Sequence, residues 1–171
     1  MSYFDLSGQV AIITGCSTGL GVQMAKALAK QGCNIACLAR RQNLIDEVAK
    51  DLVDTYGVKA IGVACDITDT ERVESAVDTV MKEFGRIDIL INNAGTGAVA
   101  PAEQITDKQF EDEFKIDLMG TFKMAREVAN KAMIPAGYGR IINIASMYGL
   151  VGNKIAPAAP YHAAKGGVVN L

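Results

Sequence analysis

Residues 14–21 of the chain read Thr14-Gly15-Cys16-Ser17-Thr18-Gly19-Leu20-Gly21, and this stretch decides the fold. It follows residues 10–13, an apolar run with the length of a buried strand. It leads into apolar residues whose spacing predicts one face of a helix: Leu20, Met24, Ala27 and Leu28. We therefore predict a tight strand-to-helix turn whose glycines let a phosphate approach the backbone. A plain packing turn is the alternative, and the flanking strand and helix favour nucleotide binding over it.

Length and composition indicate one ordinary globular domain. The 171 residues are enough for a sizeable core, and half of them are hydrophobic. The net charge of −2 gives no electrostatic reason to expect binding to nucleic acid or to an anionic membrane. No apolar run approaches the length of a membrane span, and Met1–Asp5 lacks the features of a signal peptide. The cysteines form no C-x-x-C pair, which predicts reduced thiols in the cytoplasm and no metal site: Cys16, Cys33, Cys37 and Cys65.

Further apolar runs alternate with helical patterns, which predicts a doubly wound parallel sheet of the Rossmann-like α/β class. The second to fifth predicted strands cover residues 34–39, 59–64, 87–91 and 140–146. Between them, two helical stripes are predicted to cover the sheet: Leu44, Val48 and Leu52, then Val73, Ala76, Val77, Val80, Met81 and Phe84. Capping boxes at Thr68–Glu71 and Thr106–Gln109 predict the starts of two helices.

Two basic residues, Arg40 and Arg41, follow the second predicted strand. In a doubly wound sheet this strand end lies over the adenosine ribose of a dinucleotide. Arginine accommodates a 2′-phosphate, whereas a carboxylate would bind a 2′-hydroxyl, so we expect NADP(H) rather than NAD(H). The alternative is that both arginines are solvated charges at the start of the next helix.

Four motifs in this order resemble those of the short-chain dehydrogenase/reductase family. The spacing Thr-Gly-x-x-x-Gly-x-Gly at residues 14–21 resembles the family's cofactor loop, and Asn92-Asn93-Ala94-Gly95 resembles the segment after its fourth strand. Tyr161-x-x-x-Lys165 is similar to its catalytic pair, and Ser146 precedes Tyr161 by fifteen residues, a slightly long spacing for the family. The resemblance extends from Ser7 to Leu171. It is greatest to the gluconate 5-dehydrogenase and 3-oxoacyl-carrier-protein reductase-like branch.

The resemblance implies a set of cofactor-binding residues: Gly15, Ser17, Thr18, Gly19, Leu20, Gly21, Arg40, Arg41, Asp66, Ile67, Asn93, Ala94, Gly95, Tyr161 and Lys165. Asp66 and Ile67 correspond to a pair that borders the adenine, although Asp66 could instead cap the next helix. Asn93 and its neighbours are implied to shape the site more than to take part in chemistry. Thr18 stands where many NADP-preferring relatives carry a basic residue, so NAD stays possible.

The catalytic residues implied by the resemblance are Ser146, Tyr161, Lys165 and Asp117. A phenol is a weak acid, and an ammonium group one helical turn away favours its ionised form. Tyr161 would exchange a proton with the substrate oxygen, Ser146 would hydrogen-bond that oxygen, and the nicotinamide would exchange the hydride. Asp117 stands where the family has an asparagine that holds a relay water, partly through its main-chain carbonyl. It either pairs with a nearby lysine or is a solvated helical acid.

Members of the family are longer than this chain. We therefore expect residues 1–171 to be a single dinucleotide-binding and catalytic domain that is incomplete at its C-terminus and lacks the usual C-terminal strands. The resemblance implies hydride transfer between NADP(H) and the carbonyl or secondary alcohol of a sugar acid or polyol, with 3-oxoacyl-carrier-protein reduction as the alternative. A truncated nucleotide-binding remnant without catalysis is the alternative of another class. A homotetramer is also implied, with no nucleic-acid or membrane partner.

Overall fold

A five-stranded parallel sheet forms the centre of the computed structural model, which describes residues 4–97, 99–155 and 157–171. The Met1–Asp5 segment, interpreted above as no signal peptide, therefore lies partly outside the described residues. The strand order is β3-β2-β1-β4-β5. The strands are β1 (Val10–Thr14), β2 (Asn34–Ala39), β3 (Ala60–Ala64), β4 (Ile89–Asn92) and β5 (Arg140–Asn143). The order reverses between β1 and β4, which opens a crevice at the carboxyl ends of the strands, where doubly wound folds bind ligands.

Helices cover both faces of the sheet. They are α1 (Gly19–Ala29), α2 (Gln42–Tyr56), α3 (Thr70–Phe84), α4 (Asp107–Phe114), α5 (Thr121–Val128), α6 (Ile134–Ala136) and α7 (Ala159–Val169). Helices α4, α5 and α6 continue into one another through two wider π-helical segments, Lys115–Gly120 and Ala129–Met133. None of the helices in the described ranges combines the length and apolarity that crossing a membrane requires.

The core consists of two layers, one on each face of the sheet. Successive side chains of a strand point to opposite faces, so Ile12 and Ile13 of β1 enter different layers. The Ile12 layer contains the predicted stripe of α3, which is therefore confirmed as core. Strand β5 forms one edge of the sheet, and its Ile141 and Ile142 are 39% and 47% exposed. The predicted α/β class and the parallel sheet are confirmed.

The predicted apolar face of α1 is wrong at two positions. Leu20 is 65% exposed, and Ala27 is also exposed. The buried face consists instead of Gly21, Ala25 and Ala29. These side chains are small, so the helix packs close to the sheet, and larger apolar residues at its start are left outside the contact.

Several predicted boundaries also differ. The cap of α3 is Asp69, whose carboxylate accepts the N–H groups of Glu71 and Arg72, so the capping box predicted from Thr68 is wrong. Thr68 instead donates its N–H and its hydroxyl to Asp66 Oδ1. The Thr106–Gln109 capping box is confirmed. Strand β5 ends at Asn143, because Ser146 already caps the short 3₁₀ turn Met147–Gly149.

Candidate active site

The turn between β1 and α1 has the backbone geometry that its glycines allow. Gly15 and Gly19 have φ angles of +67° and +62°, a region that side chains other than glycine rarely adopt. A β-carbon on Gly15 would lie 2.9 Å from the α-carbon of Ala94, and one on Gly21 would lie 2.4 Å from the Gly15 carbonyl oxygen. The glycines therefore bring the turn into direct backbone contact with the segment after β4.

The Asn92–Gly95 segment ties three strands and a helix together. The Thr14 hydroxyl accepts the backbone N–H groups of Asn93 and Ala94, both at 3.0 Å, and the Asn93 side-chain amide donates to the Thr14 carbonyl at 3.0 Å. The Asn92 amide donates to the Thr121 carbonyl at 3.2 Å and to Asn143 Oδ1 at 3.0 Å. Neutral amides thus fix β4 against β1, β5 and α5 at the edge of the sheet where the crevice opens.

A cleft of about 560 Å³ lies in this crevice. Many of the predicted cofactor-binding residues line it: Gly15, Ser17, Thr18, Arg40, Arg41, Asp66, Ile67, Ala94 and Gly95. Gly21 and Asn93 pack against Gly15 of the turn. Gly19 is the first residue of α1, and the Leu20 side chain is exposed to solvent. Thr96, Asp112 and Lys115 also line the cleft. The motifs did not identify these three because the loop after β4 and the start of the long helical run carry no fixed pattern.

The charges at one end of the cleft come from the ends of β2 and β3. Arg41 Nη2 donates to Ser17 Oγ at 3.1 Å, which links the start of α2 to the glycine turn, and Arg40 is exposed beside it. Burial opposes ionisation of Asp66, but the hydrogen bonds from Thr68 and the charges of Arg40 and Arg72 outweigh it and lower the pKa of Asp66. Asp66 does not cap α3, so that alternative is wrong, and Asp66 is one of the residues that line the cleft.

The other end of the cleft leads to the predicted catalytic residues. Gly95 lines the cleft, and a β-carbon on it would lie 2.8 Å from Asp117 Oδ1 and 3.5 Å from Lys165 Nζ. Two residues further along, a β-carbon on Gly97 would lie 3.5 Å from the Tyr161 ring. The glycines after β4 therefore let the backbone that borders the cleft pack closely against Asp117, Lys165 and Tyr161.

Lys165 is held from α7 in a buried position. Only 4% of Lys165 is exposed, and its Nζ donates to the Ile144 carbonyl at 2.9 Å. Its Nζ also lies 5.6 Å from the centroid of the Tyr161 ring. Burial lowers the pKa of Lys165, and the negative charge of Asp117 acts in the opposite direction. The ammonium therefore stands beside the Tyr161 ring, as the four-residue spacing predicts.

Asp117 is completely buried, so the predicted alternative of a solvated helical acid is wrong. It lies on the first π-helical segment, and its Oδ1 accepts the Thr96 N–H at 2.8 Å. Burial raises the pKa of Asp117 to about 6, helped by the negative charge of Glu113 and opposed by the Thr96 hydrogen bond and Lys165. Among the described residues, Asp117 Oδ2 has no hydrogen-bond partner. A carboxyl in this state can take up or release a proton close to neutral pH.

Ser146 precedes a short turn that packs against α7. Its Oγ accepts the Tyr148 N–H at 3.2 Å. The Tyr148 ring lies edge-on to the rings of Tyr161 and His162, with centroids 6.4 Å and 4.9 Å away. The Asn153 amide donates to the Tyr148 hydroxyl at 2.7 Å. Tyr148 is therefore an aromatic support between the Ser146 turn and the Tyr161 helix, a role that the motifs alone did not assign.

A family model described as short chain dehydrogenase matches residues 9–171. The chain belongs to this family. D-threitol dehydrogenase of Mycolicibacterium smegmatis is 39% identical over 98% of the chain and 63% of its own length. Gluconate 5-dehydrogenase of Gluconobacter oxydans is 37% identical over 98% of the chain and 64% of its own length.

A solved structure shows the same fold in this family. The crystal structure of NAD⁺-bound xylitol dehydrogenase superimposes with a TM-score of 0.91 at 34% identity, over 99% of the chain and 63% of the other protein. This short-chain dehydrogenase chain therefore spans a little under two thirds of the length of the proteins that it matches.

Proposed function

We propose that this short-chain dehydrogenase transfers a hydride between NADP(H) and a carbonyl or secondary alcohol of a sugar acid or polyol. One observation carries the proposal: Gly95 lines the nucleotide-sized cleft, and Asp117, Lys165 and Tyr161 pack against Gly95 and Gly97. An anion-binding turn at one end and a phenol–ammonium pair at the other are what a dinucleotide-dependent reduction requires.

The residues of the cleft fit a dinucleotide phosphate. In the described part of the chain, the Thr18 side chain makes no capping hydrogen bond to α1, so the first N–H groups of that helix face the glycine turn without a side-chain partner. Such groups bind a pyrophosphate, and Arg40 and Arg41 supply positive charge for a 2′-phosphate. When bound, the nicotinamide supplies or accepts the hydride.

The remaining steps belong to this chain's own side chains. Tyr161 donates its phenolic proton to the carbonyl oxygen during reduction and takes it back during alcohol oxidation. Ser146 donates a hydrogen bond to the same oxygen as negative charge develops on it. The Lys165 ammonium stabilises the phenolate that Tyr161 forms. Asp117 stabilises that ammonium and holds the loop at Thr96.

The proposal of a sugar acid or polyol draws on some of the relatives. The named substrates of the relatives described above are a tetritol, a pentitol and a sugar acid. All of them are polyhydroxylated, which is consistent with a hydrophilic substrate. A putative ketoacyl reductase of Streptomyces coelicolor is 35% identical over 95% of the chain, so the 3-oxoacyl alternative stays open. The xylitol dehydrogenase holds NAD⁺, so the preference for NADP(H) rests on Arg40 and Arg41 of this chain.

A homo-oligomer in the cytoplasm is part of the proposal. Met119 and Phe122 on the long helical run are 47% and 41% exposed, which supports contact with a second copy of the chain. The four cysteines are all free and buried, which supports a reducing compartment.

Oxidation of NADPH and NADH by the purified protein, followed at 340 nm with a panel of ketones that includes 5-ketogluconate and acetoacetyl thioesters, tests the proposal. We expect 5-ketogluconate or a related keto-polyol to be reduced, and Tyr161→Phe to abolish turnover while NADPH binding is unchanged. Tyr138→Phe is the matched control, since Tyr138 is half-exposed and stacks on Arg140 away from the cleft. NADPH binding without turnover of any ketone would favour the non-catalytic remnant, and exclusive reduction of thioesters would favour the 3-oxoacyl alternative.

A further inference from the structure

We propose that Gln42 is a positioning residue for nucleotide selection. Its side-chain amide takes the place of a neighbouring strand on the free edge of β3, and so holds the Arg40–Arg41 connection in place beside the cleft. None of the motifs described above includes Gln42. The role in nucleotide selection rests on the proposed function, whereas the contact between Gln42 and β3 does not.

Strand β3 lies at an edge of the sheet, with β2 on one side and no strand of the described ranges on the other. In a parallel pair, alternate residues direct their N–H and C=O groups towards the neighbouring strand. The N–H of Cys65 donates to the carbonyl of Ala39 on β2 at 2.9 Å. By this alternation, Gly62 and Ala64 direct their backbone groups outward. An additional strand would pair with these outward groups.

The side-chain amide of Gln42 occupies this edge. Its Oε1 accepts the Ala64 N–H at 3.0 Å, and its Nε2 donates to the Gly62 carbonyl at 3.0 Å. One residue of an added parallel strand would form the same two bonds with its own C=O and N–H. Nε2 also donates to Asp46 Oδ1, one turn further along α2, at 2.7 Å. The orientation of the amide is unambiguous, because a backbone N–H can only donate and the other two partners are acceptors.

The Arg40–Arg41 connection is therefore bonded to β3 at both of its ends. Strand β2 ends at Ala39, whose carbonyl accepts the N–H of Cys65. Helix α2 begins at Gln42, whose amide is bonded to the preceding residue of β3, Ala64. Only the two arginines separate these anchor points, so their backbone has little freedom to move relative to the cleft.

The start of α2 also packs tightly on β3. A β-carbon on Gly62 would lie 2.5 Å from Asp46 Oδ1 and 3.0 Å from the carbonyl carbon of Ile45. In the other direction, Arg41 Nη2 donates to Ser17 Oγ in the glycine turn at 3.1 Å. Recognition of a phosphate by arginine depends on the geometry of charge-assisted hydrogen bonds. Loss of the Gln42 bonds should therefore weaken contact with a 2′-phosphate and leave the rest of the nucleotide site unchanged.

Hydrogen–deuterium exchange of the Ala64 amide, followed by NMR, tests the contact without any nucleotide. Gln42→Met keeps the length and the neutrality of the side chain but removes all three hydrogen bonds. We expect the Ala64 amide to exchange about tenfold faster in this variant. Asn43→Ala removes an exposed amide from the same helical turn and should leave the rate unchanged. An unchanged rate in Gln42→Met would overturn the contact and the proposal with it.

Isothermal titration with NADPH and with NADH supplies the second measurement. In Gln42→Met we expect the affinity for NADPH to fall by about threefold to tenfold, with little change for NADH. A substitution that only destabilised the fold would weaken both affinities equally. Gln42→Ala should shift the ratio in the same direction. Equal losses, or an unchanged ratio despite faster Ala64 exchange, would overturn the role of Gln42 in selection.

Failure of this proposal and failure of the proposed function give different results. If Arg40→Asp changes the ratio of the two affinities and Gln42→Met does not, the positioning role is overturned and the proposed function stands. If the wild-type protein binds both nucleotides equally, or neither, the proposed preference for NADP(H) is overturned, and the selection role with it. Faster Ala64 exchange in Gln42→Met would then support the contact alone.

Discussion

Gly149 lies against the backbone of Lys165, at a distance that leaves no room for a side chain. A β-carbon on Gly149 would stand 2.6 Å from the Lys165 carbonyl oxygen and 2.8 Å from its carbonyl carbon. Since Gly149 ends the short turn that Ser146 caps, this contact fixes the turn onto α7. It therefore holds the turn that begins after Ser146 against α7, although the turn and the helix are joined only by an irregular loop.

Gly149→Ala should reduce turnover by roughly tenfold to a hundredfold, because the new methyl group pushes the Ser146 turn away from α7 and a small misplacement is costly in catalysis. NADPH affinity should change little, since the glycine turn and the arginines are untouched. Steady-state kinetics and an NADPH titration measure the two effects. Gly152→Ala is the matched control, because a β-carbon on Gly152 meets no atom within 4 Å. Equal kinetics in the two variants would show that the Gly149 contact does not position Ser146.

The Thr14 hydroxyl should be worth about 1–3 kcal/mol to the free energy of unfolding. Thr14→Val keeps the shape of the side chain but leaves the N–H groups of Asn93 and Ala94 without their acceptor. We expect this variant to be destabilised in urea titrations and to bind NADPH more weakly. Thr14→Ser keeps the hydroxyl and serves as the comparison. Similar stability of the valine and serine variants would mean that the hydroxyl contributes nothing.

Because its pKa is raised, Asp117 should lower the free energy of unfolding as the pH rises, which is opposite to the effect of most carboxyl groups. Its pKa rises from an ordinary 3.8 to about 6 on folding. Between these values the folded chain binds more protons at Asp117 than the unfolded chain does, so this carboxyl lowers stability as the pH rises from about 4 to about 6. Above pH 6 its full cost is about 3 kcal/mol, from 1.36 kcal/mol per pH unit.

Asp117→Asn removes that cost without changing the shape of the side chain. We expect the variant to be more stable than the wild type by about 1–3 kcal/mol at pH 8 and to have nearly equal stability at pH 4. Urea unfolding at the two pH values measures this difference. A variant that is less stable than the wild type at pH 8 would contradict a desolvated carboxylate at this position.

Arg40→Asp should shift the cofactor preference from NADPH towards NADH. The substitution removes positive charge that would contact a 2′-phosphate and introduces a carboxylate that suits a 2′-hydroxyl. Loss of a charge-assisted hydrogen bond corresponds to about a tenfold to hundredfold weaker affinity for NADPH. Isothermal titration with both cofactors measures the ratio, and Lys82→Asp on the exposed side of α3 controls for the change in net charge. An unchanged ratio would exclude Arg40 from phosphate recognition.

The sequence predicted the sheet well, because strands and helices that are buried in a core must carry apolar residues at the spacing of their own secondary structure. The prediction was wrong where two neighbouring residues could each start the same helix. Thr68 and Asp69 are both good helix caps, and the hydrogen bonds that Thr68 donates to Asp66, two residues before it, leave Asp69 to cap α3. The strand predicted to reach Ser146 ends at Asn143, because the chain turns there to pack on α7.

The candidate site was predictable where a motif fixes residue type and spacing, as for Tyr161 and Lys165. Thr96 could not have been found, because it acts through its backbone N–H, which any residue except proline would supply.

The hydroxyl of Thr14 joins residues that are 79 positions apart in the chain. Closing a loop of that length has an entropic cost that must be met before the bond contributes any stability. The glycine turn can therefore take its final shape only after β4 has docked beside β1, when most of the sheet is already assembled. During folding, competence to bind a nucleotide is expected to arise late and cooperatively, so a fluorescent dinucleotide added during refolding would report the docking of β4.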